Sequence, residues 1–138
     1  MAGWRETVAV TVGGVIGTGL RFALDTIIPH DDTTFPLSTL LINTIGSFAL
    51  GALVSTLWTR SRTPNWLKVG VGTGVVGSFT TFSAFIVSIL AESHNGLWWM
   101  ALLYFALTMV FGFGAAIVGL MIGHRRGTAR RAIGMADE

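Results

Sequence analysis

Cysteine is absent from this 138-residue chain. That excludes disulfides, thiolate metal ligands and a cysteine nucleophile. Charge is also scarce: Asp, Glu, Lys and Arg make up 12% of the residues, against roughly 25% in an ordinary soluble domain. A soluble globular fold is excluded on that ground. His30, His94 and His124 fall in three different loops or ends, without a partner at ligand spacing, and are expected to be solvated. No His, Asp or Glu constellation lies at reachable spacing, so the chain is not expected to be an enzyme.

What is abundant is apolar: 51% of the residues are hydrophobic, and 18 are glycine. The charged residues are gathered into short clusters separated by long uncharged runs. A bilayer core about 30 Å thick needs about 20 mostly apolar helical residues to cross it. Four stretches meet that requirement, over about 7–28, 37–59, 67–91 and 97–123. The expectation is an all-α integral membrane protein, one four-helix domain over 1–124 followed by a basic tail over 125–138. Arg5 before the first apolar run imitates a secretory signal. The run is too long for one, however, and no small-x-small cleavage site follows it.

With four spans, the amino terminus, the middle loop and the carboxyl tail share one side of the membrane. Arg5, Arg60, Arg62, Lys68, Arg125, Arg126, Arg130 and Arg131 all fall there, and of the basic residues only Arg21 leans to the other side. The excess of basic residues predicts that both termini are cytoplasmic. A short basic segment directly after a span reads as a topology determinant or a contact for anionic membrane lipid, and no nucleic-acid partner is expected.

Gly72-Thr73-Gly74-Val75-Val76-Gly77 matches the GxGxxG pattern. The match is spurious, because a dinucleotide fingerprint needs a preceding strand, a βαβ unit and an acidic residue about 20 positions on. The glycines are better read as close helix packing. Gly13 with Gly17, Gly70 with Gly74, and Gly119 with Gly123 have GxxxG spacing, which lets backbones approach within a membrane.

Polar residues inside spans face protein or a wet path. The second span places Thr39, Asn43, Ser47, Gly51 and Ser55 at intervals of four, one stripe on one helix face. The fourth span repeats the interval with Tyr104, Thr108 and Gly112. In the third, the glycine-rich run leads into Ser78-Phe79-Thr80-Thr81-Phe82-Ser83-Ala84-Phe85, a poor helix former. A break is expected there, tolerable inside a membrane only where protein or an ion satisfies the freed carbonyls.

These segments together resemble the CrcB/Fluc family of fluoride channels over nearly the whole chain. The resemblance rests on Gly13-Gly14-Val15-Ile16-Gly17 leading to Arg21, on Pro36-Leu37-Ser38-Thr39-Leu40 leading to Asn43, Gly46 and Gly51, and on Gly77 to Phe85. It implies a small subunit with a broken third helix that pairs antiparallel with a second subunit and conducts fluoride passively. It also implies a structural sodium ion, held by the main-chain carbonyls of Gly77 and Thr80. Asn43 would line the fluoride path with an amide donor, and Ser83, Tyr104 and Thr108 with hydroxyls. Phe82 and Phe85 would present positive ring edges to the anion, and Arg21 corresponds to a vestibule arginine.

Three positions depart from the family pattern. Ala84 stands where Thr is usual, Ser88 where a third-helix acid is common, and Gly112 where another hydroxyl is frequent. Each departure removes a donor or proton site from one pore wall. The lopsided basic residues favour a fixed orientation, so the partner is either this chain itself or a homologous subunit of opposite orientation. Two other readings stand beside the channel in the cell membrane. One is a small multidrug-type exporter, which needs a mid-membrane carboxylate where the first span has only Asp25 near its end. The other is a non-conducting assembly subunit.

Overall fold

The computed structural model describes residues 3–28, 35–60 and 62–134, with side chains described as far as His124. Four helical runs are long and apolar enough to cross a membrane: Trp4–Ile27, Leu37–Trp58, Asn65–His94 and Trp98–His124. The first is helix α1 (Trp4–Ile27). The second is α2 (Leu37–Leu53), which widens into a π turn over Val54–Trp58. The third run is composite. It starts as α3 (Asn65–Val69), passes through a π segment over Gly70–Val76 and ends its first half as α4 (Gly77–Phe79); its second half is α5 (Phe82–His94). The fourth is α6, helical without interruption over Trp98–Gly134.

The third run exceeds its expected bounds at both ends, and the excess at its far end matters. Glu92, just past the expected end of the span at about residue 91, lies inside α5 and is 1% exposed. The first charged residue does not stop this helix; glycine chemistry three residues beyond Ser93 does. Gly96 takes a positive φ of 77°, its N–H bonds the Ser93 carbonyl at 3.1 Å, and the Leu97 N–H bonds the Glu92 carbonyl at 2.8 Å. This is a Schellman cap, which needs a left-handed residue past the helix end. The fourth helix likewise runs past its expected end, its backbone staying helical into the basic tail as far as Gly134.

Glycine sets which helices meet. A Cβ on Gly13 would strike the carbonyl oxygen of Gly70, and one on Gly17 that of Val75. Helix α1 therefore seats its glycine face directly on the π segment of the third run. A Cβ on Gly51 would strike the Ala116 carbonyl, and one on Gly119 that of Phe48, so α2 and α6 meet in the same backbone-to-backbone manner. Small residues at such crossings replace the hydrophobic drive that lipid removes. Few large apolar side chains are buried, Ile42, Phe85 and Tyr104 among them, while Val15, Phe22, Phe113 and many others face outward. An outward apolar surface on every span is what a lipid solvent requires.

Candidate functional site

The site is organised around two residues that are not helical. Thr80 (φ −75°, ψ 154°) and Thr81 (φ −146°, ψ 122°) are extended between α4 and α5. Gly46 of α2 makes room for them, since a Cβ there would strike the Thr80 methyl group. Thr81 caps α5, its hydroxyl accepting from the Ala84 N–H at 3.2 Å. Threonine suits an N-cap because its side-chain oxygen satisfies a first-turn N–H. Asn43, directed at the same residue from α2, donates from Nδ2 to the Thr81 carbonyl at 2.9 Å and accepts the Thr81 N–H on Oδ1 at 2.9 Å. One carboxamide thereby satisfies both polar groups of a residue that has left the helix.

Diverting these donors frees two carbonyls. In an unbroken helix the Gly77 oxygen would accept from Thr81 N–H and the Thr80 oxygen from Ala84 N–H. Here Thr81 N–H goes to Asn43 and Ala84 N–H to the Thr81 hydroxyl. Gly77 is exposed and Thr80 half-buried, and neither oxygen keeps the donor that an unbroken helix would give it. Carbonyl oxygens of unwound backbone are the donor set of a hard monovalent cation in membrane proteins. The residues named for sodium therefore fit the ion chemically.

Beyond the break, aromatic rings take over. Phe82 is 74% exposed and Phe85 is 3% exposed, with centroids 5.8 Å apart. Phe85 packs on Tyr104 at 5.5 Å and on Phe105 at 6.1 Å, and Phe35 meets Tyr104 edge-on at 5.6 Å. A cavity of about 440 Å³ opens beside the break; Asn43, Ser47, Thr80, Phe82, Phe85 and Thr108 are among its lining residues. The hydroxyl of Thr108, in its lining, and that of Tyr104, behind Phe85, are buried and make no hydrogen bond. A buried donor without a partner is costly, so Thr108 in the wall, with Tyr104 close behind it, suits a guest that accepts hydrogen bonds.

The residues expected in the site divide accordingly. Asn43, Phe82, Phe85 and Thr108 line one cavity together with Gly77 and Thr80, and Tyr104 adjoins it through Phe85. Ser83 is exposed and shares a 3.1 Å hydrogen bond with the Thr81 hydroxyl. Arg21 is half-buried near the far end of α1 and is not among the residues lining the cavity. The stripe on α2 separates by function: Thr39 is buried near Tyr104, Asn43 holds the break, Ser47 lines the cavity, and Ser55 bonds its own helix at Gly51. Thr81, not singled out from the sequence, is the residue on which Asn43 and the α5 cap converge. The signal available in the sequence was a Thr directly before the apolar stretch that resumes the helix, a residue type favoured at the N-cap.

Fold and site together define a four-span integral membrane protein with a largely apolar cleft, set with a few polar side chains, along an interrupted third span. Residues 8–120 match the family model described as CrcB-like protein, Camphor Resistance (CrcB), and the chain belongs to that family. Among curated relatives, the fluoride-specific ion channel FluC 2 of Halalkalibacterium halodurans is 39% identical over 92% of this chain and 92% of its own length. FluC 2 of Ligilactobacillus salivarius is 38% identical over 87% of this chain and 86% of its own. FluC of Xanthomonas euvesicatoria is 33% identical over 87% and 91% respectively.

Proposed function

We propose that this chain is a subunit of a fluoride channel in the cell membrane, passing fluoride down its electrochemical gradient and so lowering cytoplasmic fluoride. The observation that carries the reading is the composition of the cleft. Neutral donors and two phenylalanine rings line a space for a small acceptor in a chain 39% identical to a fluoride-specific channel. Fluoride sheds tightly held water only where donors replace it. The hydroxyls of Tyr104 and Thr108 supply donors, as does the Asn43 amide hydrogen left over from Thr81. Phe82 and Phe85 offer positive edges without a fixed charge that would trap the ion. The membrane potential supplies about 2.3 kcal/mol per charge per 100 mV.

The exposure of Phe82, Ser83 and Gly77 near the break supports pairing with a second subunit, which on this reading is antiparallel, a second copy or a homologous subunit of opposite orientation. Such a partner would bring a second pair of Gly77 and Thr80 carbonyls to the same sodium ion, whose positive charge would fix the two breaks against each other. Arg21 would serve as a vestibule charge, raising the local anion concentration. Both termini lie in the cytoplasm on this reading, with the basic tail against anionic lipid.

Fluoride efflux from proteoliposomes tests the reading. Phe82→Ile and Phe85→Ile are each expected to lower flux at least about tenfold, equivalent to about 1.4 kcal/mol of lost stabilisation along the path. Undiminished flux in both variants, or chloride flux equal to fluoride flux, would refute it.

A further inference from the structure

On the face of α5 that continues beyond Phe85, positions 88 and 92 come at the three- and seven-residue intervals that keep side chains in one line. They are Ser88 and Glu92. Both carboxyl oxygens of Glu92 are buried without a hydrogen-bond partner, as are the hydroxyls of Tyr104 and Thr108 on the facing helix α6. Glu92 is within electrostatic reach of the Tyr104 hydroxyl, and the hydroxyls of Thr108, Ser88 and Thr39 lie beside that same group without closing a hydrogen bond of good geometry. Polar groups from three helices thus gather around the Tyr104 hydroxyl, on the stretch of α5 between Phe85 and the loop that joins α5 to α6. Four unpartnered buried atoms on the facing helices α5 and α6 point to a small guest that the protein does not itself contain.

The chemistry of the cluster restricts how Glu92 takes part. Helix α2 has no ionisable side chain, and α6 as far as His124 has only Tyr104 and His124, the latter at the opposite end. On α5 itself His94 is exposed, and α1 does not pack on this helix. No described cation therefore neutralises Glu92. An ionised carboxylate in a narrow path repels an anion and favours cations, whereas a neutral carboxylic acid adds an O–H donor to those of Tyr104 and Thr108.

We propose that Glu92 is a proton-operated element of the anion path. The neutral acid donates to the passing fluoride, and loss of its proton closes the cluster to anions. This rests on the channel reading above and adds to it a control by pH on the side of the α5–α6 loop. His30, Asp31 and Asp32 belong by topology to the same side and lie outside the described residues, so the test reads a difference between two proteins rather than one slope.

Fluoride flux into proteoliposomes is measured from about pH 6 to about pH 9 for the wild-type chain and for Glu92→Gln, which keeps shape and a donor but cannot ionise. Wild-type flux is expected to fall about tenfold as pH rises, because ionisation switches the cluster from attracting to repelling. Glu92→Gln is expected to show a flat profile and to exceed wild type about tenfold at the alkaline end. Parallel profiles in the two proteins would overturn the role of Glu92, while absence of wild-type flux at every pH would overturn the channel reading itself. Infrared difference spectra provide a readout that does not depend on transport. A protonated-carboxyl band lost in Glu92→Gln and shifted by sodium fluoride supports the assignment, and its absence from the wild type contradicts it. Tyr104→Phe, which keeps the ring, is expected to lower flux at every pH with an unchanged acid-to-alkaline ratio; loss of the ratio would move the titration to Tyr104 and overturn the proposal.

Discussion

Asn43 binds one residue, Thr81, with two hydrogen bonds of 2.9 Å, and Thr81 with Thr80 is where the third span has abandoned its helix. Removing the side chain orphans an N–H and a C=O inside the membrane, each costing about 1–3 kcal/mol. Asn43→Ala is thus expected to lower thermal stability in detergent well beyond the loss of side-chain contacts, with Asn43→Gln failing to restore it because the amide is displaced by one methylene. The two phenylalanines should separate in the same assay. Phe85 is enclosed by Tyr104 and Phe105, so Phe85→Ala is expected to cost about 3–5 kcal/mol. Phe82 is 74% exposed on its own chain, so Phe82→Ala should change single-chain stability by no more than about 0.5 kcal/mol while still lowering flux. A stability loss at Phe82 as large as at Phe85 would contradict this division of roles.

Among the helices, the glycines give a comparison with an internal control. Gly13 and Gly17 of α1 lie where a Cβ would meet the carbonyl oxygens of Gly70 and Val75, whereas Gly19 on the same helix has nothing within 4 Å. Gly17→Ala is expected to push α1 off the third span and lower the unfolding temperature. Gly19→Ala should raise stability by about 0.5–1 kcal/mol through the helix propensity alone. Equal effects would remove backbone contact as the basis of this packing. These faces were legible in the sequence, as were the four spans, because lipid fixes both the length of a span and the size of residues where spans cross. Thr80 and Thr81 stood in a run that the sequence marked as a poor helix former. What was not legible depends on partners far along the chain. Asn43 finds Thr81 38 positions away, a pairing that no local spacing encodes. The burial of Glu92 was hidden because a charged residue usually ends a span, and here the helix end is set by the cap at Gly96. The π segments escaped for a related reason: composition does not reveal which carbonyl an N–H will choose.

For the molecule as a whole, the exposed Gly77, Phe82 and Ser83 near the break and the one-sided basic residues bear on the same question of assembly. Reporters fused at either terminus are expected to give cytoplasmic activity from both ends. Signal from both sides of the membrane would instead show that the chain inserts in two orientations and can pair with itself. The π segment over Gly70–Val76 extends this to the gene. A π turn accommodates one residue more than an α turn, so a one-codon deletion at Val71 can be absorbed by tightening the coil, leaving every element downstream in its present phase. The same deletion at Ile89, within regular α5, rotates the remainder of that helix by about 100° and carries Glu92 away from Tyr104. Deletion scanning along the third span should therefore find an island of tolerance at its glycine-rich centre, bordered by positions where the reading frame survives and the protein does not.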